Sequence, residues 1–267
     1  MLNGSLHAVR SARRDRTFPA PKSPSRRDVI GAFAGSFALG GLADLLPMRA
    51  PRENREMEHT LIAPTLVEVP QGIPEKVYTT ERVGISRKTH DEHLKLWQGY
   101  AKKTNEIRQA LADMGTADPS KANQVYSMIR ALKVDYTFAY EGYINHNIYF
   151  DTLGGNGGPA TGKIGELIVA AYGSFENWAS DLKATGIAAR GWVYLAYDHA
   201  EKRVFNYIGD AQNSYPIWNH TCVLALDVYE HAYYLDFQTA RAAYIDAWLK
   251  AIDWDAVNRR GEAVQVG

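Results

Sequence analysis

From Ser86 onward the chain takes up a helical rhythm. His93, Trp97, Tyr100, Thr104, Ile107 and Leu111 recur at intervals of 4, 3, 4, 3 and 4, a single stripe that faces a core. Lys95, Gln98, Lys102 and Lys103 fall off the stripe and face water, and His90 falls toward its polar edge. A second helix is predicted over about Asn123 to Asp151, where Phe138, Gly142, His146, Tyr149 and Leu153 are spaced 4, 4, 3 and 4. Glycine inside a helix costs about 1 kcal/mol relative to alanine, so Gly142 asks for a reason, one being that something passes close by, one turn below His146. Gly154-Gly155-Asn156-Gly157-Gly158-Pro159 ends this helix. It lacks the spacing of a phosphate-binding loop and follows no strand.

Beyond that loop, residues 163–187 read as two helices split at Gly173-Ser174. Trp192–Tyr197 and Arg203–Ile208 alternate and are rich in β-formers, with Asp198–Lys202 as the turn between them. Val223–Asp227 reads as a third strand, buried on both faces. A helical turn starting at Asp227 would project its carboxylate and the His231 imidazole from one side.

Composition is that of an ordinary globular chain of 267 residues, 46% hydrophobic and 22% charged. The formal net charge of zero hides an asymmetry. Residues 1–56 carry ten Lys/Arg against five Asp/Glu, leaving 20 against 25 for the remainder. The body is therefore mildly acidic, which argues against a nucleic-acid partner. The single cysteine, Cys222, excludes an internal disulfide framework and any CxxC motif, and its apolar neighbours make it a small core residue. Arg26-Arg27 precede an apolar stretch from Val29 to Ala43 with four glycines, too short and too weakly apolar for a stable membrane span. Residues 1–46 thus read as an export signal, and Ser25-Arg26-Arg27-Asp28-Val29-Ile30 resembles the twin-arginine type, which implies a periplasmic location. Five prolines between Pro47 and Pro74 make 47–84 a linker or surface extension. The organised body is expected from about Ile85 to Arg260.

Three histidines and one aspartate, His93, His146, His231 and Asp227, sit on segments that could converge. Imidazole and carboxylate suit iron, manganese or zinc, and the lack of thiolates disfavours a structural zinc site. A zinc hydrolase would need a general base beside the metal, and none is evident. Nor is there a serine or cysteine nucleophile arrangement.

Asp227 to Tyr234 read D-V-Y-E-H-A-Y-Y, which resembles the D-V-W-E-H-A-Y-Y signature of the iron/manganese superoxide dismutases. Asn145-His146, Leu153 through Gly158-Pro159, Gly173-Ser174-Phe175, Gly191-Trp192 and Asp253-Trp254 match further blocks in family order, over about 85–260. The resemblance implies an α+β fold: an N-terminal long-helix hairpin (85–155), then a mixed domain (156–267) with a three-stranded antiparallel sheet flanked by helices. It implies a mononuclear iron or manganese, one per subunit, held by His93, His146, Asp227 and His231, and disproportionation of superoxide to dioxygen and hydrogen peroxide. Tyr100 would be the gateway tyrosine and Trp192 part of the apolar shell. Gln212 falls where manganese-type members place a glutamine beside the metal's solvent ligand, and Gly142 matches the small residue that makes room for it. Tyr149 instead matches the iron-type pattern, so the pattern favours manganese while leaving either metal open. Glu230 would reach His231 of a second subunit in a homodimer.

The sequence departs from the family in several places. Trp97 stands where a histidine usually pairs with the second signature tyrosine, Tyr234. Tyr229 replaces the signature tryptophan, and Tyr194 and Phe150 stand where tryptophans are common. Tyr100 follows His93 by seven residues rather than eight; seven residues turn about 700°, so both still face one side. These departures leave a second reading open, a metal-binding homologue with little dismutase activity.

Overall fold

The computed structural model describes residues 64–214 and 216–263. The expected export signal, residues 1–46, and residues 47–63 of the extension lie outside the described residues. Helix α1 (Arg87–Met114) starts where Ser86 Oγ accepts from Thr89 N and stops before Gly115, whose φ is 64°. Helix α2 (Met128–Asp151) packs antiparallel on it as a hairpin. It begins five residues later than expected, because Asn123 Oδ1 accepts from the backbone N–H groups of Val125 and Tyr126 and holds that stretch in a turn. Phe138, read as a core position, lies 41% exposed on the open side of the hairpin.

Helices α3 (Gly162–Tyr172) and α4 (Phe175–Ala188) follow, split at Gly173-Ser174 as expected. Strands β1 (Trp192–Asp198), β2 (Arg203–Gly209) and β3 (His220–Asp227) form an antiparallel sheet in the order β2-β1-β3. All seven residues of β1 are buried, so the alternation expected of it gives way to burial on both faces of a central strand. Strand β3 starts three residues earlier than expected and is buried from Val223 to Asp227. Cys222 lies on this edge strand and is only partly buried. No helical turn starts at Asp227: the strand runs through it, and a short 3-10 turn forms at Glu230–Ala232. Three helices close the body: α5 (Tyr234–Phe237), α6 (Arg241–Leu249) and α7 (Trp254–Ala263).

The segment expected to be a linker is built into this body from residue 64 onward. Asn105 pairs with both Val67 backbone groups, at 2.8 and 2.9 Å. Glu75–Val83 is a 3-10 helix that buries Val77, and Lys76 Nζ donates to Asp151 O and Asp253 Oδ2 at 2.6 Å each. The glycine loop after α2 allows this approach. Gly154 has φ +90°, and a Cβ there would lie 2.3 Å from Lys76 O. The core is continuous from Val77 through α2 and the sheet to α6 and α7. No described helix is long and apolar enough to cross a membrane.

Candidate metal centre

Four elements deliver one donor each. α1 supplies His93, α2 supplies His146, the end of β3 supplies Asp227, and the following 3-10 turn supplies His231. One ligand atom from each lies within 4.8 Å of the others. Asp227 Oδ2 is the hub, 3.1 Å from His93 Nε2, 3.1 Å from His231 Nε2 and 3.8 Å from His146 Nε2. His93, His146 and Asp227 have no exposed side-chain surface, and His231 keeps 28%.

The protonation states of His93, His146 and Asp227 suit a cation. Burial pushes the His146 imidazole down to about 3 and also holds His93 below the usual histidine range against the pull of Asp227. Burial alone would raise the Asp227 carboxyl, but His231 and His93 hold it well below the carboxylate range. Burial likewise opposes charge on His231, and the Asp227 carboxylate outweighs it and raises that imidazole. The ring orientation of His146 is fixed from behind: its Nδ1–H donates to Gly142 O at 2.6 Å. Its Nε2 is therefore a bare lone pair, buried and without a hydrogen-bond partner. An orphaned nitrogen of this kind costs about 1–3 kcal/mol in an empty core, and a bound cation removes that cost. Three imidazoles and one carboxylate without thiolate form the donor set expected for iron or manganese.

The surrounding side chains hold this set in place. Tyr244 Oη donates to Asp227 O at 2.9 Å and lies 3.2 Å from Tyr149 Oη, and Asp227 Oδ1 accepts from Tyr229 N at 2.8 Å. Gln212, 3% exposed, is clasped on three sides: its Oε1 accepts from Trp192 Nε1 at 3.0 Å, its Nε2 donates to Tyr100 Oη at 3.1 Å, and its backbone O accepts from Asn145 Nδ2 at 2.9 Å. The Tyr100 ring stands 5.3 Å from that of His146, so the seven-residue spacing does deliver it to the site. A Cβ at Gly142 would lie 2.6–2.8 Å from the Tyr100 ring, so the glycine makes room for Tyr100, whose hydroxyl in turn meets Gln212.

Two buried groups escaped the sequence reading. Tyr244 lies far from the motifs and carries no signal of its own. His90 was placed at a polar edge, yet it is fully buried, because the extension rolls over that side of α1. Thr80 Oγ1 donates to Ile85 O at 3.1 Å, which leaves it to accept from His90 Nε2–H at 2.7 Å. Trp97 donates to Asn147 Oδ1 at 2.7 Å and packs on Phe150, which gives the replacement of the usual histidine a partner within its own chain.

A family description for the C-terminal domain of iron/manganese superoxide dismutases matches residues 160–260. The chain is 42% identical to an iron superoxide dismutase from Aquifex aeolicus over 182 residues, 67% of this chain and 85% of that one. The chain belongs to the iron/manganese superoxide dismutase family. A manganese superoxide dismutase from Halobacterium salinarum is 30% identical over 65% of this chain and 82% of its own. An iron superoxide dismutase from Pyrobaculum aerophilum is 32% identical over 63% and 79%. The candidate donors of this dismutase come from both sides of the matched domain boundary: His93 and His146 precede residue 160, and Asp227 and His231 follow it.

Proposed function

We propose that this superoxide dismutase binds one iron or manganese per chain through His93 Nε2, His146 Nε2, Asp227 Oδ2 and His231 Nε2. The observation that carries the assignment is the buried, partnerless His146 Nε2 facing a carboxylate oxygen shared by two other imidazoles. When bound, the metal supplies the one-electron redox change by which superoxide becomes dioxygen in one half-reaction and hydrogen peroxide in the other. The chain supplies the rest. Asp227 offsets part of the metal's charge, and the neutral imidazoles leave a net positive centre that attracts an anion. Burial raises the Tyr100 phenol above its ordinary value, so its proton is in place at neutral pH. Because Tyr100 Oη already accepts from Gln212, its own O–H is free to donate toward the site. Gln212 holds Tyr100 and Trp192 in register, and Trp192, Tyr149 and Phe150 exclude water around the imidazoles.

A cavity of about 630 Å3 opens beside the site, lined by His231, Glu230, Tyr229, Arg190 and Arg241 among others. The remaining exposure of His231, next to Glu230 in this cavity, supports a homodimer in which a second copy covers the mouth and its Glu230 accepts from this His231. Glu230→Ala would then shift sedimentation toward the monomer. Gln212 argues for manganese and the name of the Aquifex aeolicus relative argues for iron, and reconstitution with each metal separately decides between them. Export rests on Arg26-Arg27 ahead of the apolar stretch; changing both to lysine would trap the precursor inside the cell. The central test is His146→Ala or Asp227→Ala: each should purify folded, with metal and superoxide decay both lost. A His146→Ala protein with full metal content would sink the ligand assignment.

A further inference from the structure

The metal centre sits at one end of a row of oxidisable rings. The His146 imidazole is 5.2 Å from the Trp192 indole, centroid to centroid. Trp192 stacks on Tyr194 at 6.2 Å with the ring planes 9° apart, and Tyr194 lies 5.0 Å from Tyr207. Trp192 is fully buried, Tyr194 is 5% exposed and Tyr207 is partly exposed, so the row runs from the interior outward. The sheet fixes this geometry. Trp192 and Tyr194 are two apart on β1 and share a face, Tyr194 is directly opposite Tyr207 on β2, and Trp192 is opposite Gly209. A Cβ at Gly209 would lie 2.6 Å from Tyr194 Cε2. The missing side chain lets the Tyr194 ring lean over and stack on Trp192.

We propose that Trp192, Tyr194 and Tyr207 form a relay that carries an oxidising equivalent from the metal site to the surface, where a soluble thiol discharges it. Indole and phenol are the most readily oxidised aromatic side chains, and every gap in the row is a ring contact that one electron crosses easily. The other aromatics at the centre lead elsewhere. Phe150 is hard to oxidise, and Tyr149 lies against Trp192 itself and the fully buried Tyr244. Tyr100 and Tyr229, each 5.3 Å from an imidazole of the site, meet no further indole or phenol ring among the described residues. The oxidant is a hydroxyl radical, formed when the hydrogen peroxide product takes up one electron, supplied by superoxide or by the thiol, and loses hydroxide. It takes an electron from Trp192 and a proton from site water and becomes water. Trp192 is refilled from Tyr194 and Tyr194 from Tyr207, whose phenol proton passes to solvent. The Tyr207 radical then takes a hydrogen atom from a thiol. The sum is one hydroxyl radical and one thiol giving water and a thiyl radical. Burial raises both phenols above their ordinary value, so each is protonated at rest and has that proton to release.

The test uses the metal-loaded full chain mixed with hydrogen peroxide and a thiol, frozen at intervals for electron paramagnetic resonance and digested for peptide mass spectrometry. Wild type should give a tyrosyl signal quenched by thiol, with little oxygen added to Trp192. Tyr194→Phe keeps the stacked ring and should lose most of that signal, while oxygen addition at Trp192 rises several-fold at unchanged metal content. Tyr207→Phe should leave a tyrosyl signal that thiol no longer quenches. Equal Trp192 oxidation in wild type and Tyr194→Phe, or a signal abolished instead by Tyr149→Phe, would overturn the relay.

Discussion

At the scale of single residues, the placement of Tyr100 depends on an absence. Its ring occupies the space a Gly142 side chain would fill, and only there does Tyr100 Oη meet Gln212 Nε2. Gly142→Ala should therefore keep all four donors and the metal but displace Tyr100, lowering turnover on the order of 10- to 100-fold, as misplacement by about 1 Å can. Turnover normalised to measured metal content checks this, and undiminished turnover would show that the ring has room elsewhere. His90 sets a second expectation. Burial pushes its imidazole down from 6.5 to about 4, helped by the neighbouring His93 and opposed by Asp236 and Asp91. It is neutral in the native state and titrates near 6.5 when unfolded, so the unfolded chain binds the extra proton between those values. Stability then rises with pH through the window and falls by about 3 kcal/mol as pH drops from 6.5 to 4. His90→Gln, able to donate to Thr80 in the same way, should flatten the slope of the unfolding midpoint against pH over that range; an unchanged slope would put the acid sensitivity elsewhere. The sequence pointed to His146, Asp227 and His231 through motifs and to His93 through its place on a helical stripe, and the fold brings these four side chains together. His90 and Tyr244 were illegible because what buries or engages them comes from distant segments that no local periodicity reveals.

At the scale of elements, the start of α1 is tied to the segment that follows His231. Asp236 Oδ2 accepts from Ser86 N at 2.8 Å and from Thr89 Oγ1 at 2.6 Å, so a residue of α5 acts as a second cap on the helix that carries His93. A carboxylate at a helix N-terminus also meets the positive end of the helix dipole. Asp236→Ala should cost about 1–2 kcal/mol in denaturant unfolding and should loosen metal retention, since both ends of the donor set lose a common anchor. Unchanged unfolding would mean that Ser86 alone caps the helix. This tie explains what could be read at the element level and what could not. The long helices followed from a period of 3.6, β1 and β2 from alternation, β3 from its continuous apolar run and the split from Gly173-Ser174, while the pairing of the helices as a hairpin came with the family resemblance. The start of α2 and the shape of the chain at Asp227 depend on side-chain-to-backbone bonds from Asn123 and on strand pairing with Trp192, which hydrophobic spacing does not register. The 64–84 segment looked like a linker because its apolar residues are few and irregular, yet Ile73 and Val77 are both buried.

At the scale of the whole molecule, the proposed metal centre is also the place where the two long helices and the sheet are joined. α1 and α2 bring His93 and His146, the sheet brings Asp227, and among the described residues no other cluster of metal-binding groups links these elements. With no cation, the Asp227 carboxylate is held among two imidazoles that burial keeps neutral, and His146 Nε2 has no partner. A metal that binds only the folded chain adds stability by mass action, about 4 kcal/mol at a thousandfold excess over its dissociation constant. For a body of this size each kcal/mol moves the midpoint by about 2–4 °C, so metal removal should lower Tm by roughly 10 °C. Dialysis against a chelator followed by thermal unfolding measures the shift, and re-addition of iron or manganese should restore it. His146→Ala provides the control, because a chain that cannot hold the metal should unfold at one temperature whether or not a chelator has been present. If the wild type showed the same indifference while remaining active, the four donors would be a structural cluster and the redox metal would lie elsewhere.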